Sequence, residues 1–177
     1  MKNNGQLILS INIAALIVLL DLSAINIALP SLKTHFDLNV IQVSGILMSS
    51  MMMASGTALI MGRFTEQFSP KSILSIAFII FGSSSLLTAF CTQFSTIIIL
   101  RLIQGIAESA LYVSGPAMIK KLLPAQSHQK EFGKWMMSCG IGISLGPILG
   151  GFLIHWFQWQ AVFLINVPLS LFGLYFA

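Results

Sequence analysis

Six apolar runs, each near the length of a bilayer-crossing helix, leave this chain few folds to choose from. They cover residues 7–30, 40–61, 72–89, 96–119, 132–155 and 159–177, and about 20 residues suffice for a helix to span the hydrocarbon of a bilayer. In lipid every backbone polar group must be paired within the protein. The fold class is therefore an all-α membrane protein, one bundle of six transmembrane helices over 1–177. Only 8% of the 177 residues are charged, where a water-soluble domain carries about a quarter. That deficit excludes a disordered chain, a basic domain that binds nucleic acid, and a disulfide-stapled secreted module.

The connections between the runs alternate in charge. Lys2, Arg63, Lys71, Lys120, Lys121, Lys130 and Lys134 fall on one side and Lys33 alone on the other, while the connections at 91–95 and 156–158 carry no charge. Cytoplasmic loops are the lysine- and arginine-rich ones, so both termini are expected in the cytoplasm of a multi-pass protein of the cell (inner or plasma) membrane. A signal peptide is the competing reading of the N-terminus. Its apolar run is too long for a signal core, and no small-x-small cleavage site follows. Cys91 and Cys139 are expected at opposite depths, too far apart to bridge.

Charge inside the spans is the next constraint, since an ionisable side chain at the bilayer centre costs at least about 2.5–3.5 kcal/mol. Asp21 lies in the first span, Arg101 and Glu108 in the fourth. Arg101, Gln104, Gly105, Glu108, Tyr112 and Gly115 recur at three- and four-residue spacing and share one helix face. At 1.5 Å per residue, Asp21 lies about 13 Å and Arg101 about 7 Å below the outer boundary, a gap that arginine's length covers. Two readings stay open: a structural ion pair that fixes helix packing, or a protonatable carboxylate balanced by Arg101. Spans two and five are rich in small residues, with Gly142, Gly146 and Gly150 at four-residue steps, and spans three and six are plain. Charged, small, plain, repeated once, is the pattern of a three-plus-three inverted repeat. The glycine stripe of span five is expected to meet a second bundle, with packing on span one as the alternative.

Several motifs now resemble a known family. Gly142-x-x-x-Gly146-Pro147-x-x-Gly150-Gly151 matches the antiporter signature of the major facilitator superfamily, and Arg101-x-x-Gln104-Gly105 with Ala107 looks like its fourth-helix motif. The stretch from Leu20 to Pro30 resembles the first-helix motif of the fourteen-helix drug:proton antiporters, and Trp159 to Pro168 the start of their sixth helix. The resemblance implies the N-terminal six-helix half of that fold. It implies proton-coupled efflux of hydrophobic or cationic drug-like compounds, with a proton gradient as energy source and no cofactor or metal. Asp21 would be the proton site and Arg101 its partner, with Glu108, Asn26, Gln104 and Tyr112 completing the coupling and cavity set. Gly142, Gly146, Pro147, Gly150 and Gly151 would serve helix packing and gating.

The chain also departs from that pattern. In the loop after span two Gly62 and Lys71 remain, but Glu66, Gln67, Ser69 and Pro70 replace the usual aspartate, arginine, glycine and second arginine, which puts the family's cytoplasmic latch in doubt. Glu108 is not part of the common fourth-helix pattern and adds a second carboxylate. The superfamily has twelve or fourteen helices, so the expected partners are the lipid bilayer, a small-molecule substrate and a second bundle, either a homodimer mate or a separate C-terminal half. The alternatives are a truncated remnant or assembly partner that does not transport, and a facilitator for another solute. No enzyme is indicated: His35, His128 and His155 are scattered, and no metal-ligand spacing is visible.

Overall fold

Helix α1 spans Lys2–His35, α2 Val40–Gln67 and α3 Pro70–Ala89. The fourth span consists of α4 (Phe94–Glu108), a π-helical turn (Ser109–Val113) and α5 (Ser114–Leu122). Helix α6 covers Ala125–Phe157, and the sixth span is divided into α7 (Gln160–Leu164) and α8 (Asn166–Tyr175). These elements come from a computed structural model that describes residues 2–177. The side chains at positions 2–4 and 114 lie outside that description, and the Lys2 charge counted above is one of them. Among the described residues five spans are long and apolar enough to cross a membrane, and the sixth, Gln160–Tyr175, is a shorter apolar helix.

Local chemistry sets the helix ends. Asn39 and Gln42 form a reciprocal capping box at the start of α2, each side-chain oxygen accepting from the other's backbone N–H at 2.9 Å. Ser69 caps α3, with Pro70 in the first turn, where its missing N–H costs nothing. The far end of α2 is held from another helix. Lys121 Nζ donates to the carbonyls of Thr65, Glu66 and Phe68 at 2.9, 3.1 and 3.0 Å, placing a cation on the negative end of the helix. Several helices outrun the apolar segments: α1 reaches His35, α2 reaches Gln67 and α6 begins at Ala125. The added turns are polar, and hydropathy marks only the part of a helix that lies in hydrocarbon.

Helix pairing carries the repeat. The first span packs mainly on the fifth, the second on the fourth, and the third on both the fourth and the sixth. Exchanging spans one to three with spans four to six turns the first–fifth pair into the fourth–second pair. Glycine closes both seams. A Cβ on Gly105 would overlap the Ser50 carbonyl of α2, and one on Gly146 would overlap Ser23 Oγ of α1. At Gly142 and Gly150 a Cβ would lie 2.5 Å from the Leu16 carbonyl oxygen and 3.1 Å from that of Ala24. Ser23 Oγ also donates across this seam to the Gly142 carbonyl at 3.2 Å. The glycine stripe of span five is thus used within the unit, which corrects the expectation that it meets a second bundle. A stripe with a four-residue period names a face but not the helix opposite it, and here that helix is α1.

The apolar core is divided. One cluster joins Ile8–Val18 of α1 to Phe78, Phe81, Leu111 and Ile119, and the other joins Leu20–Leu38 to Ile46, Ile97, Val162 and Phe163. Between them lies a layer of buried polar side chains. Spans two and five are the least covered, with 22% of their central windows buried against 61% for the first span.

Gly146→Leu should therefore destabilise the six-helix unit itself, by about 3 kcal/mol or more. Gly151→Leu, whose added Cβ would meet nothing within 4 Å, should be tolerated. Thermal unfolding of both variants in detergent checks the contrast.

Candidate functional site

The polar layer is built around Arg101. Arginine presents a rigid fork of donors, and four side chains from three helices surround this one. Nη1 donates to Asp21 Oδ2 at 2.8 Å and to Gln104 Oε1 at 3.0 Å, and Nη2 donates to Ser50 Oγ at 2.7 Å. The fourth is Glu108, whose Oε1 stands 3.8 Å from Nη2. The third and sixth spans join through neutral groups. Gln104 Nε2 donates to Ser85 Oγ of α3 at 3.1 Å. Asn166 Nδ2, at the start of α8, donates to Asp21 Oδ1 and to Ser85 Oγ. Asp21, Ser50, Ser85, Arg101, Gln104 and Asn166 are all 0% exposed. A buried ion pair repays desolvation only when its remaining hydrogen-bonding capacity is filled; here both Asp21 oxygens are bonded, while Arg101 Nε has no hydrogen-bond partner.

Glu108 is placed differently. Its Oε1 accepts no hydrogen bond, and the residue lines a cavity of about 420 Å³ between the first, second and fourth spans. Val18, Leu19, Leu22, Met51 and Ala54 make the apolar walls, and Ser109 and Tyr112 share the rim. Ser109 Oγ is likewise buried without a hydrogen-bond partner. The π-helical turn begins directly after Glu108 and brings Ser109, Tyr112 and Val113 to the same opening. Pro116 gives the local reason. Lacking an N–H, it could not bond the Tyr112 carbonyl in a regular α-helix, and the wider turn relieves that position.

Of the residues expected in the coupling set, Asp21, Arg101, Gln104 and Glu108 come together. Tyr112 sits on the cavity wall, its ring 5.1 Å from that of Trp135. Asn26 does not join them: it is exposed, and its amide donates to the Leu22 carbonyl of its own helix at 2.8 Å. Gly151 and Gly62 face open space, and Pro147 lies inside α6. Glu66 and Lys71 are exposed at the lysine-bearing end. There Glu66 offers Lys121 its backbone carbonyl.

Three members of the network, Ser50, Ser85 and Asn166, were not singled out from sequence. The description of spans three and six as plain is corrected by Ser85 and Asn166. Asn166 carried a usable signal, since an amide within an apolar span requires a partner. Ser85, third in a run of serines, carried none.

Asn166→Leu should cost about 1–3 kcal/mol by stripping a donor from Asp21 Oδ1. Ser85→Ala should fall in the same range, and the double variant should cost less than the sum because both act on one network. Unfolding of the purified protein in detergent measures all three.

Residues 11–177 match the family described as Major Facilitator Superfamily. The riboflavin transporter RibZ of Clostridioides difficile is 27% identical over 175 residues, covering 99% of this chain and 38% of that protein. MdtD of Pectobacterium atrosepticum, whose assignment to multidrug resistance is itself provisional, is 28% identical over 154 residues, covering 87% of this chain and 33% of that one. The chain thus spans well under half the length of these curated relatives. Among solved structures, the proton:xylose symporter XylE superposes with a TM-score of 0.83 at 18% identity, over 98% of this chain and 44% of that one. A bacterial homologue of the lysosomal transporter Spinster gives 0.76 at 16% identity, over 99% and 43%. At those identities the two structures establish the fold.

Proposed function

The chain belongs to the Major Facilitator Superfamily, and on that premise we propose that it is the N-terminal half of a proton-coupled exporter of hydrophobic or cationic compounds. The observation that carries this reading is the membrane-buried cluster of two carboxylates and one guanidinium, Asp21, Glu108 and Arg101, set beside an apolar cavity. A group able to change charge next to a cavity for an apolar body is what proton-for-drug exchange requires. The similarity to a protein named for multidrug resistance supports it. A second reading, transport of another solute, is favoured by the similarity to a riboflavin transporter along nearly the whole chain. In neither reading is the protein an enzyme.

The least covered spans, two and five, are where we place contact with a second bundle, whether a C-terminal half or another copy. The loop charges orient the unit with both termini in the cytoplasm and Cys91 outside. An impermeant maleimide on intact cells should then label Cys91 and leave a cysteine placed at Lys130 unlabelled; the reverse pattern contradicts the orientation. Partial burial holds the Cys91 thiol above its ordinary range. Since the thiolate is the reacting form, its labelling should accelerate from neutral to mildly alkaline pH.

For the exporter reading, the full protein carrying this chain is reconstituted in proteoliposomes and loaded with ethidium as a cationic probe. An imposed proton gradient should drive ethidium against its concentration gradient. Flux indifferent to the proton gradient, or riboflavin carried in its place, overturns the reading.

A further inference from the structure

We propose that Glu108, and not Asp21, is the carboxylate that takes up and releases the coupling proton, with Asp21 held as the standing partner of Arg101. The proposal rests on the proton-coupled reading above and deepens it. Both oxygens of Asp21 are engaged, Oδ2 by Arg101 and Oδ1 by Asn166. Its side chain is fully buried and is not part of the cavity wall. Protonating Asp21 would displace a donor from one of its oxygens and remove the charge that Arg101 balances, at a place water does not reach. Glu108 is also buried, at 2% exposure, but it borders the cavity and is less tightly bonded. Its Oε1 accepts no hydrogen bond, the residue lies on the cavity wall, and the guanidinium nitrogen paired with it at 3.8 Å already donates to Ser50 Oγ.

Charge balance points the same way. Arg101 neutralises one carboxylate, and in hydrocarbon a second negative charge without a partner is strongly disfavoured. The charged or titratable groups facing Glu108 are Asp21 from α1, Arg101 on its own helix and Tyr112 from the π-helical turn. On the α2 side of the cavity stand Met51, Ala54, Ser55 and Ala58, which are not titratable. The cluster is therefore neutral when Glu108 carries a proton and singly negative when it does not. The proton comes from hydronium in water entering the cavity, whose O–H bond breaks as the O–H at Glu108 forms, and it returns to water by the reverse step. Ser109 Oγ, unpartnered on the same wall, supplies the adjoining polar contact for that water.

Infrared difference spectra of the reconstituted full protein, recorded across a pH titration, test this through the carbonyl stretch of a buried protonated carboxylic acid. Glutamine is isosteric with the protonated acid, so Glu108→Gln should fold. It should lose the titrating band and uncouple flux from the proton gradient. Glu108→Asp should restore a band, and Asp21→Asn should retain it. A band unchanged in Glu108→Gln, lost in Asp21→Asn alone, or missing from the wild type overturns the proposal. A Glu108-dependent band in a protein without proton-driven flux would uphold the assignment and defeat the exporter reading instead.

Discussion

A guanidinium in the middle of a membrane has to be enclosed, and the rest of this structure follows from enclosing Arg101. Neither lipid nor a distant loop can stabilise that charge. Its donors therefore recruit Asp21 from the first helix and Ser50 from the second. Gln104, bonded to the same guanidinium, carries the network on to Ser85 in the third, and Asn166 ties the sixth to Asp21. Five of the six spans are joined in one layer, and the apolar core is split into a cluster on each side of it. The fifth span takes no part in these bonds and is held instead by close packing on the first, through Gly142, Gly146 and Gly150.

This division of labour separates what is fixed from what is free to change. Asp21 is bonded at one oxygen by Arg101 and at the other by Asn166, so that the pair works as a structural joint even though Arg101 Nε has no hydrogen-bond partner. Glu108 shares the same arginine at longer range, and its buried Oε1 accepts no hydrogen bond although the residue lines the cavity. The interruption of the fourth span at the π-helical turn, followed by Pro116, is what lets a helix end its buried charge cluster and open onto a cavity within a few residues. Lys121 holds the adjoining end of α2 against this helix, so two of the three spans lining the cavity are tied at the lysine-bearing end.

Much of this was legible in the sequence. Span length and the scarcity of charge set the fold class, and the spacing of Arg101, Gln104 and Glu108 placed them on one face. Arginine's reach made Asp21 a plausible partner. Periodicity was silent on the neutral members, because Ser50 and Ser85 resemble any small residue in a membrane helix until a partner is known. It also left the glycine stripe ambiguous between an internal and an external neighbour. Asn26 shows the reverse failure: it belongs to a first-helix motif and is polar, yet the turn of the helix points it away from the cluster. Spacing along one helix fixes a direction, and only the packing of the other helices decides what stands there.

The central claim is that Asp21 and Arg101 act as one unit in holding the bundle together. A double-mutant cycle with Asp21→Asn, Arg101→Gln and the pair, followed by unfolding of the full protein in detergent, measures it directly. The account predicts that each single change costs more than its share of the double, with a coupling energy above about 1.5 kcal/mol. Costs that add to within about 0.5 kcal/mol would show the two residues to be independent and would contradict it.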